Sequence, residues 1–148
     1  MSLKERLNED MKDAMRARDK GRLSVLRMTI AAIKRREIDD RIELDETQTL
    51  AVVEKMIKQS QESARLYRQG DRDDLADTEE SEARILAAYL PEQMGEDELV
   101  ALIDQAIEAA QATSMKDMGK VMGQIKAKAQ GRANMADISA RVRNRLAG

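Results

Sequence analysis

The stretch ILAAYLPEQMGEDELVALI, residues 85–103, decides how this chain is built. It runs from the apolar end of one helical pattern, through the only proline in the sequence, into the start of another. Proline has no N–H to donate and its ring clashes with the preceding turn, so the helix that carries Ile85, Leu86, Tyr89 and Leu90 is expected to stop at Pro91. Beyond it, GEDELVALIDQAIEAA, residues 95–110, sets Leu99, Leu102, Ile103, Ala106 and Ile107 on one face of a new helix. The domain boundary is therefore placed at Leu90–Pro91, giving an N-terminal part, 1–90, and a C-terminal part, 91–148.

Upstream, the same 3.6-residue period repeats. Leu3, Leu7, Met11, Ala14 and Met15 share one face of a segment from Ser2 to about Asp19, with Ser2 as N-cap and Glu5 as its capping-box partner. After a break expected at Lys20–Gly21, residues 21–39 carry two apolar stripes. One is Leu23, Leu26, Ile30 and Ile33; the other is Val25, Met28 and Ala32, the pattern of a helix central to its domain. DDRIELDE is read as a loop. Asp45 with Gln48 then caps a long helix ending at Gly70, whose inner face is Leu50, Val53, Met56, Ile57, Ser60, Ala64 and Tyr67. A helix from Asp73 to Leu90 follows, with acids at its start.

Downstream, Ser114 with Asp117 opens SMKDMGKVMGQIKAKAQ, Gly131 closes it, and Asn134 caps a last helix with Met135, Ile138, Val142 and Leu146 inward. No strand pattern or repeat occurs, so the fold class is all-α. With 148 residues the chain can bury about two thirds of its unfolded surface. The core must be aliphatic, since there is no Phe or Trp and only Tyr67 and Tyr89 are aromatic. The ten methionines serve as packing filler.

Composition also narrows the chemistry. There is no cysteine and no histidine, which excludes disulfides, thiolate catalysis and thiolate metal sites. No GxSxG, SxxK, P-loop or glycine-rich dinucleotide loop is present, so no catalytic residue is assigned. Ser81, near Arg84, has no base beside it. The acids Asp71, Asp73, Asp74, Asp77, Glu79, Glu80 and Glu82 do not match an EF-hand loop, and no metal or other cofactor is expected. No run approaches the roughly 20 apolar residues that span a bilayer, and the first residues lack a secretory h-region. On that basis a cytoplasmic location, with no membrane association, is expected.

Charge is distributed unevenly. Residues 1–36 carry a net +6, residues 37–113 carry −14 and residues 114–148 carry +6, within an overall −2. Two readings stay open: the basic ends bind anions, or they attract the acidic middle within one fold. The same choice applies to Arg27, Lys34, Arg35 and Arg36 in the second helix. In the C-terminal segment, Met118, Val121, Met122, Ile125 and Ala129 form a core face, while Lys116, Lys120, Gln124 and Lys128 climb another side in steps of four. Gly119 and Gly123 lie between these faces, and each costs about 1 kcal/mol against alanine inside a helix. Either a neighbouring helix packs closely there, or a phosphate backbone does. The candidate RNA-binding set is Lys116, Gly119, Lys120, Gly123, Lys126, Lys128, Gly131, Arg132, Arg141, Arg143 and Arg145.

Particular motifs resemble a known family. LPEQMGEDELVALIDQAI...SMKDMGKVMGQIKAKAQGRANMADISARVRNRL resembles the GatB/YqeY tail, the helical module that closes the B subunit of the glutamine-dependent aspartyl/glutamyl-tRNA amidotransferase. LSVLRMTIAAIKRREID and EESEARILAAYLPEQM resemble the stand-alone YqeY-like proteins, which join a helical N-terminal domain to that tail. The most specific elements are Leu26-Arg27-Met28, Tyr89-Leu90-Pro91 and Met118-Gly119-Lys120-Val121-Met122 with Gly131 downstream. The resemblance implies an N-terminal helical hairpin-like domain followed by a C-terminal three-helix bundle. It also implies a tRNA-binding accessory role linked to amidotransferase, carbon-nitrogen ligase activity with glutamine as nitrogen donor. The partners implied are tRNA and an aminoacyl-tRNA synthetase or amidotransferase, with the ligase activity belonging to the complex. A non-catalytic protein-protein adaptor is the alternative.

Overall fold

The computed structural model describes residues 1–147, and these form seven α-helices with no strand among them. The chain divides into two compact units, Met1–Leu90 and Pro91–Gly148.

The first unit contains α1 (Leu3–Arg16), α2 (Lys20–Asp40), α3 (Glu46–Gln69) and α4 (Asp73–Ala87). Ser2 Oγ accepts from the Glu5 amide at 3.1 Å, and the Leu3 amide donates to Glu46 Oε1 at 2.8 Å, tying the start of α1 to that of α3. Glu37 accepts from Lys4 Nζ at 2.6 Å and from the Leu44 amide at 2.8 Å, so one carboxylate fixes both α1 and the loop after α2. Those two donors hold its carboxyl below the usual carboxylate range, the lysine being the larger cause.

The break between α1 and α2 lies earlier than the sequence suggested. Arg18 takes the left-handed turn with φ 56°, Asp19 caps the next helix by accepting from the Arg22 amide at 3.2 Å, and Gly21 is simply helical. Helix α2 packs against α1, α3 and α4, with Val25, Leu26, Thr29 and Ile33 buried. Its second expected stripe is only half inside, since Met28 is 54% exposed. Buried Thr29 and Thr49 are satisfied by their own helices, each hydroxyl donating to a carbonyl four residues earlier.

Asp45 and Gln48 form the reciprocal cap at the start of α3. On its inner face Val53, Ile57 and Ala64 are buried as expected, together with Thr49 and Val52, but Tyr67 is 37% exposed beside the turn to α4. Arg68 closes that turn, contacting Asp73 at 3.2 Å, Asp77 at 2.8 Å and Glu80 at 2.9 Å. Helix α4 ends at Ala87 rather than Leu90, because a residue preceding proline is pushed out of the helical region. The released Tyr89 is buried. Its hydroxyl donates to Asp10, and Arg6 lies over its ring at 5.0 Å.

The second unit packs α5 (Glu96–Ala109), α6 (Met118–Ala129) and α7 (Met135–Ala147) around Leu99, Leu102, Ile103, Val121, Ile125, Ile138 and Val142. Arg132 anchors the entering strand of chain: its Nε donates to the Glu92 carbonyl at 2.7 Å, and the Met94 amide donates to the Arg132 carbonyl at 2.8 Å.

Two outcomes are expected. Leu26, fully buried, should cost about 2–5 kcal/mol when replaced by alanine, whereas exposed Arg27→Ala should stay within about 0.5 kcal/mol, as read by urea unfolding. Burial, and then the Asp10 hydrogen bond, push the Tyr89 phenol up to about 12. A raised phenol contributes stability that is full below its unfolded value near 10 and is lost as pH climbs to about 12. The difference in stability between wild type and Tyr89→Phe should therefore shrink across that window.

Candidate nucleic-acid interface

Helix α6 is launched by a 3-10 turn, Met115–Asp117, held by a reciprocal cap between Ser114 and Asp117. Asp117 accepts from the Thr113 amide at 2.9 Å and the Ser114 amide at 3.3 Å, and these donors, in that order, lower its carboxyl below the ordinary value. The cap fixes the rotation of α6. Val121, Ile125 and Ala129 point fully inward, while Gly119, Lys120, Gly123, Gln124, Lys126, Ala127 and Lys128 are all exposed.

Gly119, Gly123 and Ala127, four residues apart, make a strip with no side chain longer than a methyl. A Cβ built on Gly119 or Gly123 meets nothing within 4 Å. The close-packing explanation for these glycines therefore has no neighbour among the described residues to support it. Lys120, Gln124 and Lys128 lie on one flank of the strip and Lys126 on the other, by helical geometry, while Lys116 stands exposed in the 3-10 turn that precedes α6.

The eleven candidate residues separate by their partners. Among the described residues, Lys116, Lys126, Lys128 and Arg143 have no ion-pair partner, and Lys120 Nζ donates only to the Ala110 carbonyl, at 3.4 Å, at the end of α5. The other arginines are engaged with acids of α5. Arg132 meets Glu98 at 3.0 Å, Arg141 meets Glu96 at 2.6 Å, and Arg145 meets Asp104 at 2.5 Å. Arg141 also reaches Asp137 at 3.2 Å. Gly131 is buried with φ 81° in the turn between α6 and α7, a position where its missing Cβ serves the turn. The structure thus brings the lysines and the two helical glycines onto one face and assigns three arginines and Gly131 to holding the unit together.

The lesser candidate on α2 is partly resolved as well. Only Arg36 forms an ion pair, with Asp40 of its own helix at 3.5 Å; Arg27, Lys34 and Arg35 have none among the described residues. Several acids of the middle segment that they could have sought are held by Lys4, Arg65, Arg68 and Arg72.

A family model described as Yqey-like protein matches residues 4–146. The chain belongs to the YqeY-like family. Among curated relatives, the chain is similar to proteins named "Altered inheritance of mitochondria protein 41, mitochondrial". It is 29% identical to the one from Pyrenophora tritici-repentis over 130 residues, covering 86% of this chain and 71% of that relative. It is 34% identical to that of Vanderwaltozyma polyspora over 85 residues, 57% of this chain and 46% of the relative. For Meyerozyma guilliermondii the identity is 39% over 84 residues, 57% and 44%. In the latter two the match spans less than half of the relative's length.

These names correct the expected cytoplasmic location. The relatives of this YqeY-like chain are mitochondrial proteins, and the absence of an apolar h-region tests only for secretion, because mitochondrial targeting uses amphipathic, arginine-rich segments. Among the described residues, no helix is long and apolar enough to cross a membrane.

Gln124 and Ala127 are members of the exposed α6 face that the candidate set left out. The four-residue stepping of Lys116, Lys120, Gln124 and Lys128 already contained the first; the second has no chemical signal of its own. The glycine geometry gives opposite expectations at three positions. Gly119→Ala and Gly123→Ala should each raise stability, by up to about 1 kcal/mol, since the added methyl enters open space and favours helix. Gly131→Ala should lower it by about 1 kcal/mol or more, since φ 81° strains any residue with a Cβ. Urea unfolding of the three variants would show both signs.

Proposed function

We propose that this YqeY-like protein is an RNA-binding accessory module, with tRNA as its ligand, that grips phosphates along the exposed face of α6. The observation that carries this reading is the open Gly119-Gly123-Ala127 strip flanked by lysines that form no salt bridge among the described residues. Helical glycines that no neighbour covers weaken the fold, and the use that fits them is close approach of a ligand's backbone. Lysines without carboxylate partners are free to replace the counterions of a polyanion. Arg143 adds to this charge, while Arg132, Arg141 and Arg145, already paired, orient α7 and the incoming chain against α5.

The tail's resemblance to the amidotransferase B subunit supports a role beside a synthetase or glutamine-dependent amidotransferase. The carbon-nitrogen ligase chemistry belongs to that complex, and this chain contributes tRNA retention.

The test is fluorescence anisotropy with total tRNA, comparing wild type with a Lys116/Lys120/Lys126/Lys128→Ala variant. Arg132 is left intact because its loss would disturb the unit. Wild-type binding should weaken steeply between about 50 and 200 mM salt, and the variant should bind weakly with a log-log salt slope shallower by about 3. Gly123→Leu should be folded yet also bind weakly. Absence of wild-type binding at low salt, or an unchanged variant, would reject the RNA reading and leave the adaptor role.

A further inference from the structure

The flank of α6 that carries Lys120, Gln124 and Lys128 runs along α5. Lys120 Nζ sits on the Ala110 carbonyl at the end of α5, and Gln124 and Lys128 then border a groove of about 410 Å³ between the two helices. Leu102 and Ala106 are buried in its floor, Ala109 adds another small side chain, and Gln105 of α5 stands on the rim opposite α6. Among the described residues, no acid lines this groove.

Gln105 and Gln124 make no hydrogen bond within the described residues, and both are exposed. Each carboxamide offers one acceptor oxygen and two donor hydrogens. The groove therefore has an aliphatic floor, two uncommitted heads that both give and accept, and cations at Lys120 and Lys128 on either side of Gln124. The two lysines are eight residues apart, about 12 Å along the helix.

We propose that this groove takes one unpaired nucleotide of a single-stranded RNA segment, with Gln105 and Gln124 reading its base and Lys120 and Lys128 on the adjoining phosphates. The inference rests on the RNA-binding reading of α6. An apolar partner helix would leave both carboxamides unsatisfied, and a cationic one would meet Lys128. A flat heterocycle with both donors and acceptors, joined to phosphates on two sides, satisfies every group in the groove. Glutamine matches adenine best, accepting from N6 and donating to N7, and unpaired bases in RNA loops present such edges. With no aromatic in the lining, base preference comes from hydrogen bonds instead of stacking.

Competition anisotropy on the full chain tests this, with short oligo(A), oligo(U) and oligo(C) RNAs and an RNA duplex of equal length as competitors, for wild type and Gln105→Leu/Gln124→Leu. Wild type should prefer oligo(A) by roughly tenfold. The variant should lose that preference while its duplex affinity, salt slope and helix content stay as in wild type. The side-chain carboxamide NMR signals of Gln105 and Gln124 should shift with oligo(A) and not with duplex. Equal binding of all homopolymers by wild type, or a preference that survives in the variant, overturns the nucleotide site while leaving the lysine face intact. Failure to bind any RNA rejects both readings together.

Discussion

An aliphatic helix with charged flanks leaves water in one way, by laying its apolar stripe against the stripes of its neighbours. In this protein that constraint is severe, because Leu, Ile, Val, Ala and Met must supply nearly all of the core volume. Each helix therefore has to be held at a defined rotation, and the capping groups do this. Ser2, Asp45 and the Ser114/Asp117 pair set where α1, α3 and α6 begin, and thereby which residues point inward. Glu37 and Arg68 then fix a loop and a turn with side chains from neighbouring elements.

The same rotation that buries Val121 and Ile125 exposes the glycine strip of α6, so the surface and the core of that helix are two results of one cap. Arginine and lysine have divided their work accordingly. Arg132, Arg141 and Arg145 use their planar, forked donors on carboxylates of α5, a geometry that a lysine reproduces poorly. The lysines of α6 stay in water, apart from Lys120 on the Ala110 carbonyl, where a flexible stem with a compact charge can follow a ligand. A bundle whose total basic and acidic residues nearly balance can in this way present a face of one sign.

Much of the fold was legible along the chain. Periodicity and caps located seven helices because each helix carries its own start signal and its own stripe, and both are local. The errors were local as well: the break after α1 came at a left-handed Arg18 instead of at Lys20–Gly21, and α4 gave up its last turn before Pro91, which freed Tyr89 to enter the core. Tyr67 and Met28 had the spacing of inward residues, yet burial depends on what stands opposite, and nothing in the spacing reports that. The candidate site was legible only as a set of residue types. Lys116, Lys120 and Lys128 shared a face by spacing, while Arg141 and Arg145 had the same charge and a different fate, since the α5 acids they grip lie more than 40 residues away.

The sequence by itself determined that this is an all-helical chain with an aliphatic core, without thiol or imidazole chemistry, and with a basic, glycine-bearing C-terminal helix, because those properties follow from composition and from neighbours three or four residues apart. Only the tertiary structure decided which charges are spent in salt bridges within the fold and which are not. It also decided that no described residue lies within 4 Å of a Cβ at Gly119 or Gly123, and that two glutamines from different helices face one groove. Those are properties of pairs brought together across the bundle, and the distance between such pairs is set by packing, which no local pattern encodes.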